Sequence, residues 1–237
     1  MSPDPFADAP TIRWRAGGRD AQRIVIAGTT GSGKTTLALM LAEQSHRAVW
    51  IDLKGLNDPG WPVVPALKFP DNDPAPYLAA RLAEWPHITV QLSDMPGMKD
   101  LDQVDRVAQA AYKLGNVLLV LDDAMGVLTV DPPYYLNRVI TMGRARGVGF
   151  MAIVQRTHRI PRVLMTEAEH VVAFELPGAE DVDRLAREAG PALAAARDLR
   201  RWHYIWYARE QRITQAFNPL RRARKTDQVN TQLDQSA

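Results

Sequence analysis

The sequence contains no cysteine. That absence excludes disulfides, cysteine-ligated zinc and thiol catalysis, and it fits a reducing compartment without establishing one. Charge of one sign is also scarce: 29 Lys and Arg against 27 Asp and Glu leave a formal net charge of +2. A polyanionic partner is therefore permitted by composition, but not demanded by it. No apolar run approaches the roughly 20 residues that a bilayer span needs. The opening Met1-Ser2-Pro3-Asp4-Pro5-Phe6 lacks the basic-then-apolar layout of a signal peptide. The expectation is a chain without a transmembrane segment, soluble or peripheral at most. Its 46% hydrophobic and 24% charged residues are ordinary for a globular protein with a sizeable core.

What is present is organised around Gly28-Thr29-Thr30-Gly31-Ser32-Gly33-Lys34-Thr35, followed by Thr36. It fits G-x-x-x-x-G-K-[ST] at every fixed position. The β-branched run 23–27 precedes it and a helix-forming run follows, the context that marks a phosphate-binding P-loop. Glycines let successive N–H groups turn inward around phosphate oxygens, and the new helix aims its positive end at the same anion. Lys34 can reach the β- and γ-phosphates of a nucleotide, and the Thr35 hydroxyl can ligate Mg²⁺.

Strands are expected at 23–27, 48–53, 88–92, 117–121, 148–154 and 170–175, with late strands near 203–208 and 212–217. Helices are expected at 34–45, 74–84, 100–114 and 131–143, and again around Val182, Leu185 and Ala189. Residues 56–73, rich in Pro and Gly, read mostly as turns. Residues 1–20 form an N-terminal arm, 21–218 a single P-loop ATPase domain, and 219–237 a basic, polar tail expected to be flexible. This alternation predicts an α/β sandwich with a mainly parallel central sheet flanked by helices, and a ligand site beyond the carboxyl ends of the strands.

At the carboxyl end of the apolar run 117–121 stand Asp122 and Asp123. A hydrophobic strand ending in acid is the Walker B pattern. Asp122 is the expected Mg²⁺ holder, through water. Asp123, which strand alternation sends to the other face, is the expected water-activating carboxylate. Gln155, at the tip of strand 148–154, can hydrogen-bond the attacking water or the γ-phosphate. Arg144 and Arg146 precede the same strand. By themselves these last three residues read better as solvated surface groups.

Taken in order, Gly28 to Thr35, Asp52-Leu53-Lys54-Gly55, Asp122-Asp123, Gly143-Arg144-x-x-Gly147 and Gln155-Arg156 resemble the FtsK/HerA superfamily, ring-forming P-loop ATPases that pump DNA. The match spans about residues 23–160. It departs from the family where D-P-K-G-E becomes Asp-Leu-Lys-Gly and where T-Q-R-P becomes Val154-Gln155-Arg156-Thr157. The resemblance implies ATP and Mg²⁺ as cofactors, with Arg144, or in competition Arg146, as a finger reaching a neighbouring subunit's γ-phosphate. It further implies a homo-oligomeric ring, a pentamer or hexamer, acting on double-stranded DNA without sequence preference.

Small size and the Asp-Asp pair are most similar to the genome-packaging ATPases of icosahedral viruses with an internal membrane, or of related mobile elements. That similarity implies a place in the host cytoplasm or at a virion vertex, beside capsid or membrane-associated proteins. Candidate DNA contacts are Lys99 with loop 93–99, the basic stretch 156–162 and the tail arginines 221–224; a plain solvated surface is the competing reading for each. Trp202, Tyr204 and Trp206 alternate as on one strand face, for base stacking or, more simply, for a core or interface. Two other function classes stay open: a P-loop kinase of a small molecule, and a nucleotide-dependent vertex or assembly protein that does not pump.

Overall fold

The computed structural model describes residues 21–217 other than 54, 56–58, 94–99, 129–130 and 159. Nine strands form one sheet in the order β3-β4-β2-β5-β6-β1-β7-β8-β9. They are β1 (Arg23–Ala27), β2 (Ala48–Asp52), β3 (Val63–Pro65), β4 (His87–Gln91), β5 (Val117–Asp122), β6 (Val148–Val154), β7 (His170–Ala173), β8 (Tyr204–Ala208) and β9 (Ile213–Phe217). Every pairing from β3 through β7 is parallel, whereas β7–β8 and β8–β9 are antiparallel. The helices are α1 (Lys34–Ala42), α2 (Ala75–Glu84), α3 (Asp100–Leu114), α4 (Tyr134–Met142), α5 (Arg162–Glu167) and α6 (Ala179–Glu188). The mainly parallel α/β sandwich expected from the alternation is the observed architecture.

Alternation along β1 divides the core between two faces. Ile24 and Ile26 pack with Leu37, Leu41, Trp50 and Trp206 on the α1 side. Val25 and Ala27 face the larger core under α2 to α6. Each aliphatic side chain buried to this degree contributes roughly 1.5–3 kcal/mol. A strand enclosed on both faces is largely apolar, which is why β1 after Arg23, β5 before Asp122 and the whole of β6 read as unbroken runs.

Several boundaries differ from the sequence expectation. Helix α1 ends at Ala42 rather than 45, where the Ser45 backbone N–H and hydroxyl both donate to the Ala42 carbonyl, at 3.0 and 2.6 Å. Helix α4 begins at Tyr134, not near 131. Its free N–H groups are met from another element: Asp105 of α3 accepts from Tyr135 N at 2.7 Å and Leu136 N at 2.9 Å. The stretch expected to be turns holds β3, an edge strand whose ends are exposed and which finishes on Pro65, a residue that edges tolerate. A 3-10 helix (Ala66–Lys68) follows it. Helix α5 and the 3-10 helix Pro191–Asp198 were likewise not anticipated. Among the described residues no helix is long and apolar enough to cross a membrane. The arm 1–20, Lys54, Lys99, Arg159 and the tail arginines lie outside the described residues, as does loop 93–99 beyond Ser93.

Candidate nucleotide site

The turn after β1 leaves the sheet at its carboxyl edge and opens a cavity of about 380 Å³, within the range of small-ligand sites. Gly28 is packed so closely that a β-carbon there would stand 2.6 Å from the Phe174 Cβ and 2.9 Å from the Ser32 hydroxyl. Gly33, at φ 109°, is the residue before α1, a backbone state that side chains disfavour. Thr30, Gly31, Lys34, Thr35 and Thr36 line the cavity. Thr29 holds the loop instead: its N–H donates to the Glu175 carbonyl at 3.0 Å, and its carbonyl accepts from Lys34 Nζ at 2.7 Å.

Three features suit this loop to an anion. Helix α1 has no side-chain cap and no acidic residue in its first turn, so its positive end is not offset. The Ser32 hydroxyl is buried without a hydrogen-bond partner among the described residues. Lys34 is itself buried against the loop and donates to a carbonyl that a phosphate oxygen can outbid.

Opposite the loop lie the acids. Thr35 Oγ1 donates to Asp122 Oδ1 at 3.4 Å, bringing hydroxyl and carboxylate together as the sequence expects of a Mg²⁺ site. Among the described residues no three His, Asp or Glu side chains cluster as a protein-only metal cage. A hydroxyl and one carboxylate suit a hard cation that shares its remaining ligands with phosphate and water. Burial, then the neighbouring Asp52 carboxylate, push the Asp122 carboxyl up to about 6. Asp52 stands directly opposite Asp122 in the β2–β5 register, and both are buried.

Asp123 corrects a detail of the sequence reading. Simple alternation would send it to the opposite face from Asp122. Instead β5 stops at Asp122 and Asp123 turns left-handed, at φ 57°. Both acids therefore line the same cavity. Asp is among the few residues that adopt this conformation at modest cost, and such outliers concentrate at functional sites. Gln155 arrives from the tip of β6 and donates its side-chain N–H to Asp123 Oδ1 at 3.2 Å. The acid and the amide are thus brought together.

The arginines are not. Arg144 and Arg146 lie in a 3-10 helix (Gly143–Arg146) ahead of β6, with Gln155 at its other end. Seven strand residues at about 3.3 Å each put roughly 20 Å between the two ends. Arg144 pairs with Glu169 at 3.3 Å and Glu210 at 3.0 Å. Arg146 donates to the Lys113 carbonyl at 3.1 Å and lies over the Tyr112 ring. Neither reaches the nucleotide cavity of its own chain.

Two features went unseen in the sequence. Tyr204 and Trp206 are fully buried core residues, as the simpler reading had it, but Trp202 is not on their strand. It sits in the turn before β8, 49% exposed, and its indole Nε1 donates to the Gly31 carbonyl at 3.1 Å. Asp181 on α6 is the second. It accepts from Thr157 N at 2.5 Å and from His158 N at 3.1 Å, and pairs with Arg156 at 3.2 Å. Burial alone would raise its carboxyl, yet bonds from His158, Thr157 and Arg156 hold it below the usual range.

No protein-family model matches this chain, and no curated protein sequence does. Among solved structures it is similar to the genome packaging NTPase B204 from Sulfolobus turreted icosahedral virus 2. The complex with AMPPCP gives a TM-score of 0.64 at 13% identity, covering 84% of this chain and 98% of that one. The complex with ATP-gammaS gives 0.64 at 13% identity, covering 85% and 98%. B204, the DNA-packaging ATPase from Sulfolobus Turreted Icosahedral Virus, gives 0.63 at 14% identity, covering 87% and 100%. This chain therefore has the fold of those packaging NTPases along nearly their whole length.

Proposed function

We propose that this chain is an ATP hydrolase of the FtsK/HerA type that drives double-stranded DNA during genome packaging, working as a ring. The observation that carries the hydrolase reading is the Asp123–Gln155 contact inside the same cavity as Lys34, Thr35 and Asp122. An acid held by an amide at the phosphate end suits activation of water, rather than transfer to a metabolite hydroxyl.

The steps follow from the residues. Loop N–H groups and Lys34 grip the β- and γ-phosphates, Lys34 leaving the Thr29 carbonyl to do so. Thr35 and Asp122 would hold Mg²⁺, which neutralises phosphate charge. Gln155 orients a water on the γ-phosphorus, and Asp123 takes the proton that water loses. The new P–O bond forms as the bridging β–γ bond breaks, giving ADP and phosphate.

Arg144 and Arg146 stand at the far edge of the sheet, so either would meet a γ-phosphate only across a subunit interface. In a ring that edge faces a neighbour, and Arg144 is the better candidate. Its two carboxylate partners at 3.0 and 3.3 Å would be exchanged for the neighbour's γ-phosphate. The DNA track would be the phosphate backbone, since a packaging motor accepts any sequence.

The test is ATP turnover with and without duplex DNA across salt concentrations. Stimulation that fades with salt supports the motor; turnover indifferent to DNA overturns it. Mixing Lys34→Ala with Arg144→Ala subunits tests the finger. Mixed rings regain activity if the guanidinium acts in trans, and stay dead if it does not.

A further inference from the structure

We propose that Trp202 is the platform on which the nucleobase stacks, with Arg201 held against the same ring; this rests on the nucleotide reading above. The sheet order fixes which end of the cavity holds what. Asp122 on β5 and Gln155 after β6 lie to one side of β1, whereas β7 and β8 lie to the other. The catalytic acids mark the γ-phosphate end, so the base must emerge toward β7 and β8.

That is where Trp202 stands. Because β8 runs antiparallel to β7, with Ile205 opposite Ala173, its beginning falls at the edge where the parallel strands finish. The reversal carries the preceding turn onto the P-loop. Trp202 lines the cavity, donates to the Gly31 carbonyl and packs toward Gly33, where a β-carbon would lie 3.7 Å from its Cδ1. Its φ of 68° is an uncommon state for a bulky residue, one that persists where surrounding structure enforces it. The indole is half-exposed at a cavity mouth, while Tyr204 and Trp206 just beyond it are buried. The Arg201 guanidinium lies 4.9 Å from the ring centre and electrostatically polarises the face it covers.

A stacking platform reads ring area, not exocyclic groups, so the site accepts adenine and guanine alike. The chemistry is that of a nucleoside triphosphate whose base is held by stacking and not read by hydrogen bonds.

The experiment is calorimetric titration of the full chain with Mg²⁺ plus ATP, GTP or inorganic tripolyphosphate, which has no base. Trp202→Ala should weaken ATP and GTP by a similar factor, roughly 5- to 150-fold, and leave tripolyphosphate unchanged. Trp202→Phe, which keeps an aromatic face but loses the Gly31 hydrogen bond, should retain most of the affinity for both nucleotides. Loss of tripolyphosphate binding in Trp202→Ala would overturn the proposal, because Trp202 would then act by shaping the loop. So would a Phe variant as weak as Ala, or an Ala variant that binds ATP as the parent does. If the parent protein binds neither ATP nor tripolyphosphate, the nucleotide reading itself falls; tripolyphosphate binding without a base effect removes only the platform.

Discussion

Replacing Asp122 with Asn should make the metal-free protein more stable while abolishing its turnover. In the free protein the Asp122 carboxyl is buried beside Asp52, which raises it from 3.8 to about 6. A carboxyl raised this way binds more protons when folded than when unfolded between those two pH values. Folding is therefore favoured at low pH, and that advantage is lost as pH rises through about 6. At pH 7.5 the ionised carboxylate costs the fold about 3 kcal/mol, two pKa units at about 1.4 kcal/mol each. Asn keeps the size of the side chain and cannot ionise, so it escapes that cost. Urea denaturation in chelator at pH 7.5 should show Asp122→Asn more stable by about 2–3 kcal/mol, with the gap closing toward pH 4. Saturating Mg²⁺ with ATP should stabilise the parent more than the variant, since the variant lacks the Asp122 carboxylate that would hold the cation beside Thr35. A gap that ignores pH, or a variant less stable at pH 7.5, would refute the argument.

Asp123→Asn should retain ATP binding and lose turnover by roughly 10²–10⁴-fold, the usual worth of a general base, measured by phosphate release alongside calorimetry. His170 supplies a pH dependence of opposite sign. It is buried, accepts from Trp206 Nε1 at 3.0 Å and donates Nε2–H to Gln22 at 3.1 Å. Burial pushes it down to about 4, against a weaker upward pull from Glu169 and Glu210. Its contribution is intact above pH 6.5 and is lost as pH falls toward 4, about 3 kcal/mol in all; His170→Gln should flatten that slope in denaturation curves. Asp181→Ala should cost about 2–4 kcal/mol, because Thr157 N and His158 N lose a buried acceptor, and should raise amide exchange at both residues.

How much could be read in advance depended on how local the cause was. The glycine-rich turn before α1, the apolar strand ending at Asp122 and the helix 100–114 are each specified by their own residues, and they appear where the spacing puts them. The misjudged pieces answer to distant ones. Helix α4 begins where Asp105 on α3 can cap it, and its own Asp131-Pro132 had suggested an earlier start. Strand β3 exists because β4 offers an edge to its proline-bounded apolar pair. Alternation misassigned Asp123 because a left-handed residue ends the alternation. Trp202 was grouped with Tyr204 and Trp206 on spacing alone, although its positive φ takes it off their strand. The aspartate on α6 carried no local signal: its partners lie more than twenty residues upstream.

That aspartate has a mechanical meaning. The segment after Gln155 leaves the sheet at the point where a loop would ordinarily absorb any small movement as slack. Here it is tied by backbone and side chain to a helix, and the chain running on from that helix passes through the 3-10 turn to the indole beside the P-loop. If the amide tip shifts, Thr157 and His158 would carry Asp181 and its helix with them. The two ends of a bound nucleotide would sit at the two ends of that connection.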